Sequence, residues 1–133
     1  KVFDAEASTT HLITDDEMVA FFWSPDGQKI AYTTIDRVTN SLAWYVTDSR
    51  GGNSRRLTNF IPSREMLFVF FGYFDQYAYS NSLWSPDSKS LVYTGRMTGS
   101  NGTGVDRVWV LPVDDASPAS AIGEASLAFW SPR

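Results

Sequence analysis

A tryptophan-headed motif occurs three times in this chain of 133 residues, and no other feature limits its architecture so strongly. Residues 21–33 read FFWSPDGQKIAYT, residues 82–94 read SLWSPDSKSLVYT, and residues 127–133 read LAFWSPR. Trp23, Trp84 and Trp130 are the equivalent points, separated by 61 and 46 residues. A self-similar period of roughly 40 to 50 residues means a supersecondary unit that must stack on copies of itself to bury its apolar face.

Each copy makes physical sense as a hairpin. In Ser24-Pro25-Asp26-Gly27 the proline presets its φ near about −65°, the serine hydroxyl caps the first position and glycine tolerates the fourth, which predicts a type I turn. Pro86 and Asp87 repeat the turn, with Ser88 in place of Gly27 at a position that type I geometry opens to most residues. After each turn the apolar residues alternate, Ile30 and Tyr32 in one copy, Leu91 and Tyr93 in the other, as a half-buried strand requires. Residues 41–47 and 107–113 read as third strands, and residues 55–58 and 119–122 as fourth strands. Residues 1–4 and 11–14 read as the last two strands of a preceding unit. Four strands per unit at this period is the pattern of a β-propeller blade.

The run Trp-Ser-Pro-Asp-Gly followed by Lys, Ile, Ala and Tyr resembles the repeat of TolB-like β-propellers. It is also similar to repeats in the propeller domains of prolyl-oligopeptidase-type serine peptidases. The resemblance implies an all-β fold of four-stranded antiparallel blades: an incomplete propeller with two full blades and partial flanking ones. The expected division is a partial blade over residues 1–17, a blade over 18–58, an aromatic insertion over 59–81, a second blade over 82–126 and a closing strand over 127–133. Fewer than three blades depart from the four to eight of a closed propeller.

Composition agrees with a globular β-rich chain: 43% apolar, 20% charged and 15% aromatic. The net charge of −4 gives no electrostatic reason to expect binding to nucleic acid or anionic lipid. No run is long and apolar enough to predict membrane insertion. With no cysteine, thiolate metal sites and cysteine nucleophiles are excluded.

The remaining motifs are read as structure. Trp23, Trp84 and Trp130 are expected to wedge between neighbouring blades, with Pro25, Pro86 and Pro132 shaping the turns after them. Asp26 and Asp87 serve turn chemistry rather than catalysis or metal binding. His11, the sole histidine, lies in a strand with no nucleophile motif beside it. A Gly-x-Ser-x-Gly elbow is absent from the sequence. Residues 99–104 are glycine-rich but lack the lysine of a phosphate loop and read as a flexible loop. The adjacent acids Asp15, Asp16 and Glu17, and Asp114 with Asp115, lack the ligand spacing of a calcium loop. No catalytic residue, cofactor or metal site is therefore expected.

Residues 59–81 are the one stretch the repeat does not explain. Aromatic residues converge there, and two readings stand. Tyr73, Phe74, Tyr77 and Tyr79 form a partner-binding surface, because tyrosine supplies rigid contact area and a hydrogen-bonding tip. Alternatively, residues 68–71 form an innermost strand or cover the core. Strand parity places the insertion beside the loops at 36–40 and 95–106.

The expected function is a non-catalytic protein-binding or scaffolding module. One alternative is a piece of the gating propeller of a serine peptidase whose catalytic domain lies elsewhere, and another is a sugar- or cation-binding propeller. The expected partner is a protein, with exposed blade edges leading either to homo-oligomers or to a place within a longer chain. Likeness to TolB, and that alone, implies a periplasmic or other extracytoplasmic setting.

Overall fold

The Trp-Ser-Pro-Asp turn is the joint on which each unit is built. Gly27 N–H donates to the Ser24 carbonyl at 2.9 Å, and Ser88 N–H to the Ser85 carbonyl at 2.9 Å. Inside each turn the serine hydroxyl donates to the aspartate, Ser24 to Asp26 and Ser85 to Asp87, both at 2.6 Å. The same hydroxyls accept backbone N–H groups from the returning strand, at Lys29 and at Ser90. Both turns therefore form, but the fourth position lies at positive φ, 69° at Gly27 and 59° at Ser88. That position is more demanding than the type I expectation, since a left-handed conformation costs a residue with a Cβ roughly 1 kcal/mol or more.

The computed structural model describes residues 1–98 and 104–131. The sequence motif's Pro132 and most of the glycine-rich loop, residues 99–103, lie outside the described residues. Strands β1 (Val2–Asp4) and β2 (Thr9–His11) pair as a small antiparallel hairpin. The first blade is a four-stranded antiparallel meander, β3 (Met18–Trp23), β4 (Lys29–Asp36), β5 (Ser41–Asp48) and β6 (Arg55–Pro62). The second begins with a single bridge from Trp84 to Leu91 and continues through β7 (Ser90–Met97), β8 (Arg107–Pro112) and β9 (Ser120–Glu124). The chain is all-β in architecture, an open arrangement of two blade-type meanders.

The two meanders are continuous. The end of β6 leaves its own blade and pairs with β7 over Phe60 to Met97, Ile61 to Arg96 and Pro62 to Gly95, giving one seven-stranded sheet. Gly95 permits this approach: a Cβ there would lie 2.2 Å from the Ile61 carbonyl oxygen. One aromatic core spans the junction. The rings of Trp44 and Phe60 stack at 5.7 Å, and Phe60 meets Tyr93 of the second blade at 4.8 Å.

Strand parity explains the two faces of blade one. Ala20, Phe22, Ala31 and Trp44 face this shared core, while Ile30 and Tyr32 face the other way, against Ile13, Val2 and Met18. β4 is accordingly buried on both sides over five consecutive residues.

β6 runs to Pro62, so the departure from the repeat starts at residue 63. Within residues 63–81 the chain is helical through a π-type turn at Met66–Phe70, a 3₁₀ turn at Phe71–Tyr73 and α1 at Phe74–Tyr77. Residues 68–71 form no strand. Met66, Phe70 and Phe71 fill the core, and Phe70 stacks on Phe22 at 5.5 Å. Residues 127–130 lie alongside residues 82–84 without forming a ladder, tied by Trp130 N–H to the Ser82 carbonyl at 2.9 Å.

Candidate functional site

The helical insertion folds down along the inner strands and walls a groove of about 510 Å³. Phe21, Trp23 and Pro25 form one side, Phe74 and Tyr79 the other, and Leu83 and Trp84 lie at its end. Phe74 is set by an edge-to-face contact with Phe21 at 5.2 Å and a second with Phe22 at 6.1 Å. Tyr79 is 99% exposed, just past the last turn of α1. The lining is mostly apolar, with Ser24, Asp75 and Ser82 among its polar members.

Of the four aromatic residues singled out in the sequence, two meet in this groove, Phe74 and Tyr79. Tyr73 is exposed and does not line it, and Tyr77 is half-buried, its ring stacked on Phe70 at 6.1 Å. The insertion does not gather with the loop at 36–40, as strand parity implied. That loop lines a separate hollow of about 660 Å³ with Glu17, Tyr45 and Arg56, to which no residue of 63–81 contributes. The reason is the apolar helical face, which is drawn to the core between the inner strands and away from the sheet end.

The three tryptophans have three environments. Trp84 is 1% exposed, and its indole N–H donates to the Phe22 carbonyl of the first blade at 3.0 Å. Trp130 is half-buried beside Pro86 and Asp87, with its indole nitrogen buried and unpartnered among the described residues. Trp23 is 44% exposed and looks away from the shared core.

The carboxylates act as acceptors in turns. The Ser24 hydroxyl, then the Gln28 backbone N–H, lowers the pKa of Asp26; the Ser85 hydroxyl and the Lys89 N–H do the same for Asp87. Asp36 is held far below the ordinary carboxylate range, first by the Asn59 amide at 2.7 Å, then by the Thr39 backbone N–H and the Arg56 guanidinium. His11 bonds Thr9 within its own hairpin at 3.2 Å. Among the described residues no group of three His, Asp or Glu is placed to hold a metal ion. No helix among them is long and apolar enough to cross a membrane.

Sequence reasoning missed the groove's far wall. Phe21, Leu83 and Ala78 carry no local signal of meeting there. The helicity behind it was readable: Met66, Phe70, Phe74 and Tyr77 recur at spacings of four, four and three, one face of an α-helix.

No protein-family model matches the chain. An uncharacterized peptidase, YuxL of Bacillus subtilis (strain 168), is 35% identical over 72 residues, which are 54% of this chain and 8% of that protein. The chain thus spans a small part of this curated relative. The crystal structure of TolB from Acinetobacter baumannii superimposes with a TM-score of 0.48 at 21% identity, over 80% of this chain and 21% of that one. With its tryptophan-headed hairpins built into four-stranded antiparallel meanders, the chain is similar to TolB-like propellers and to a peptidase relative that it matches over one segment.

Proposed function

We propose that the chain is a non-catalytic protein-binding module that takes its partner in the groove between α1 and β3. The observation that carries this reading is that exposed Tyr79 and Trp23 line one groove with Phe21 and Phe74, whose rings meet edge-to-face. Tryptophan and tyrosine are the residues most often found to dominate binding energy, because each covers a large rigid area and leaves a polar tip for a partner.

The test is capture of partners on immobilised chain, comparing the natural sequence with Tyr79→Asp and Tyr73→Ser. A protein retained by the natural chain and by Tyr73→Ser, but lost with Tyr79→Asp at unchanged melting temperature, is the expected result. Equal retention by all three overturns the groove as the binding surface.

The likeness to a peptidase over 72 residues favours a second reading, in which this segment belongs to the propeller of a larger peptidase. A Gly-x-Ser-x-Gly elbow encoded in the adjoining reading frame would decide for it. In that case the groove faces substrate peptides or a neighbouring domain, and binding remains the chain's own contribution.

A further inference from the structure

The contact between the two blades gives a template for a third. Trp84 packs its indole on the first blade and donates to the carbonyl of Phe22, the residue before Trp23. The neighbouring turns are stitched alongside it, with Asp26 N–H donating to the Ser88 hydroxyl at 3.1 Å and the Lys29 ammonium to the Ser88 carbonyl at 3.1 Å. Trp23 is the repeat equivalent of Trp84, yet its indole N–H has no partner among the described residues. Phe21, two residues before it on the same face of β3, is 40% exposed.

The opposite end of that face is covered. Ile13 and Val2 close over Ile30, Tyr32 and Met18. The inner half is less covered: Trp23 is 44% exposed, and Phe21 is 40% exposed with Phe74 against one edge of its ring.

The chain itself contains a matching segment. Residues 128–131 read Ala-Phe-Trp-Ser against Phe-Phe-Trp-Ser at 21–24. Phe129 rests on Phe70 at 5.0 Å as Phe22 does at 5.5 Å, so both phenylalanines turn their rings into the same core. Phe129 is thus the repeat equivalent of the residue whose carbonyl receives Trp84.

We propose that the Phe21–Trp23 face docks residues 127–130 of a second copy of this chain, with the Trp23 indole N–H donating to the Phe129 carbonyl. The inference rests on the protein-binding reading above and names the partner for the Trp23 side of the groove. Because the two surfaces differ, the association is head-to-tail, and it closes into a ring or continues as a chain.

The experiment is light scattering with size-exclusion chromatography on the full chain from about 1 to 200 µM, for the natural sequence, Trp23→Ser, Trp23→Phe and Tyr73→Ser. The natural chain and Tyr73→Ser are expected to grow in mass with concentration. Trp23→Ser is expected to weaken association at least roughly tenfold, as loss of a central aromatic anchor does, with Trp23→Phe between the two. Thermal melting checks that the variants are folded. A natural chain that stays monomeric at the highest concentration overturns the proposal, as does equal association by Trp23→Ser. A monomeric chain whose partner capture still depends on Tyr79 leaves the protein-binding reading standing while removing self-association.

Discussion

The backbone N–H of Asp26 donates to the hydroxyl of Ser88 at 3.1 Å, joining two turns that lie 62 residues apart. Ser88 holds a φ of 59°, where a residue with a Cβ is strained, and it is 1% exposed. The hydroxyl that offsets this strain is the one group alanine and glycine both lack. Ser88→Ala should therefore destabilise the chain by about 1 kcal/mol, the net value of a buried hydrogen bond. Ser88→Gly loses the same bond but relaxes the backbone, and should melt close to the natural chain. Chemical denaturation of the three proteins checks the order.

Trp84 and Trp44 are both fully buried, yet their indole N–H groups differ in fate. That of Trp84 reaches the Phe22 carbonyl, whereas that of Trp44 has no partner among the described residues. Trp84→Phe opens space and strands a buried carbonyl, while Trp44→Phe opens space but removes an unsatisfied donor. The first should cost about 1 to 3 kcal/mol more than the second. Urea midpoints measured side by side would show it, and an inverted order would contradict the assignment.

Gly95 is placed where a methyl group would meet the Ile61 carbonyl oxygen at 2.2 Å, at a φ of 149°. Gly95→Ala should push β6 off β7 and cost at least about 2 kcal/mol, from overpacking and backbone strain together. Hydrogen exchange at Ile61 and Met97 should quicken before that at the strands of either meander.

The carboxylate of Asp36 is stabilised in its ionised form by Asn59, the Thr39 backbone and Arg56. A group whose folded pKa is depressed adds stability that is complete above its unfolded value, about 3.9. That stability fades as pH falls below this value toward the folded pKa. The natural chain should therefore lose stability below about pH 4 more steeply than Asp36→Asn, which has no proton to take up there. Thermal melts from about pH 2 to 6 test the difference in slope.

The hairpins were legible in the sequence because their causes are local. Ser, Pro and Asp at fixed offsets form the turn, and alternation around Ile30 and Leu91 sets the strands. The demand for positive φ at position 88 was not legible, since serine carries no mark of it and the compensating donor comes from Asp26. The ladder between β6 and β7 was equally hidden. It depends on Gly95 lying against Ile61, a long-range approach that no window of residues contains. In the insertion, the density of Phe and Tyr masks the spacing of Met66, Phe70 and Phe74, which is that of a helix face. The aromatic density marks Tyr73, Phe74, Tyr77 and Tyr79 together, and which of them line the groove with Trp23 depends on how that helix lies across the inner strands.

Phe60 has a consequence for how this chain can be divided. Its ring lies between Trp44 on one side and Tyr93 on the other, and it has no face left for water. A cut within residues 63–81 would leave the amino-terminal piece with Phe60 and Trp44 uncovered and the carboxy-terminal piece with Tyr93 uncovered. Neither half is then a free-standing building block. The smallest portion that can be transplanted or recombined intact is the pair.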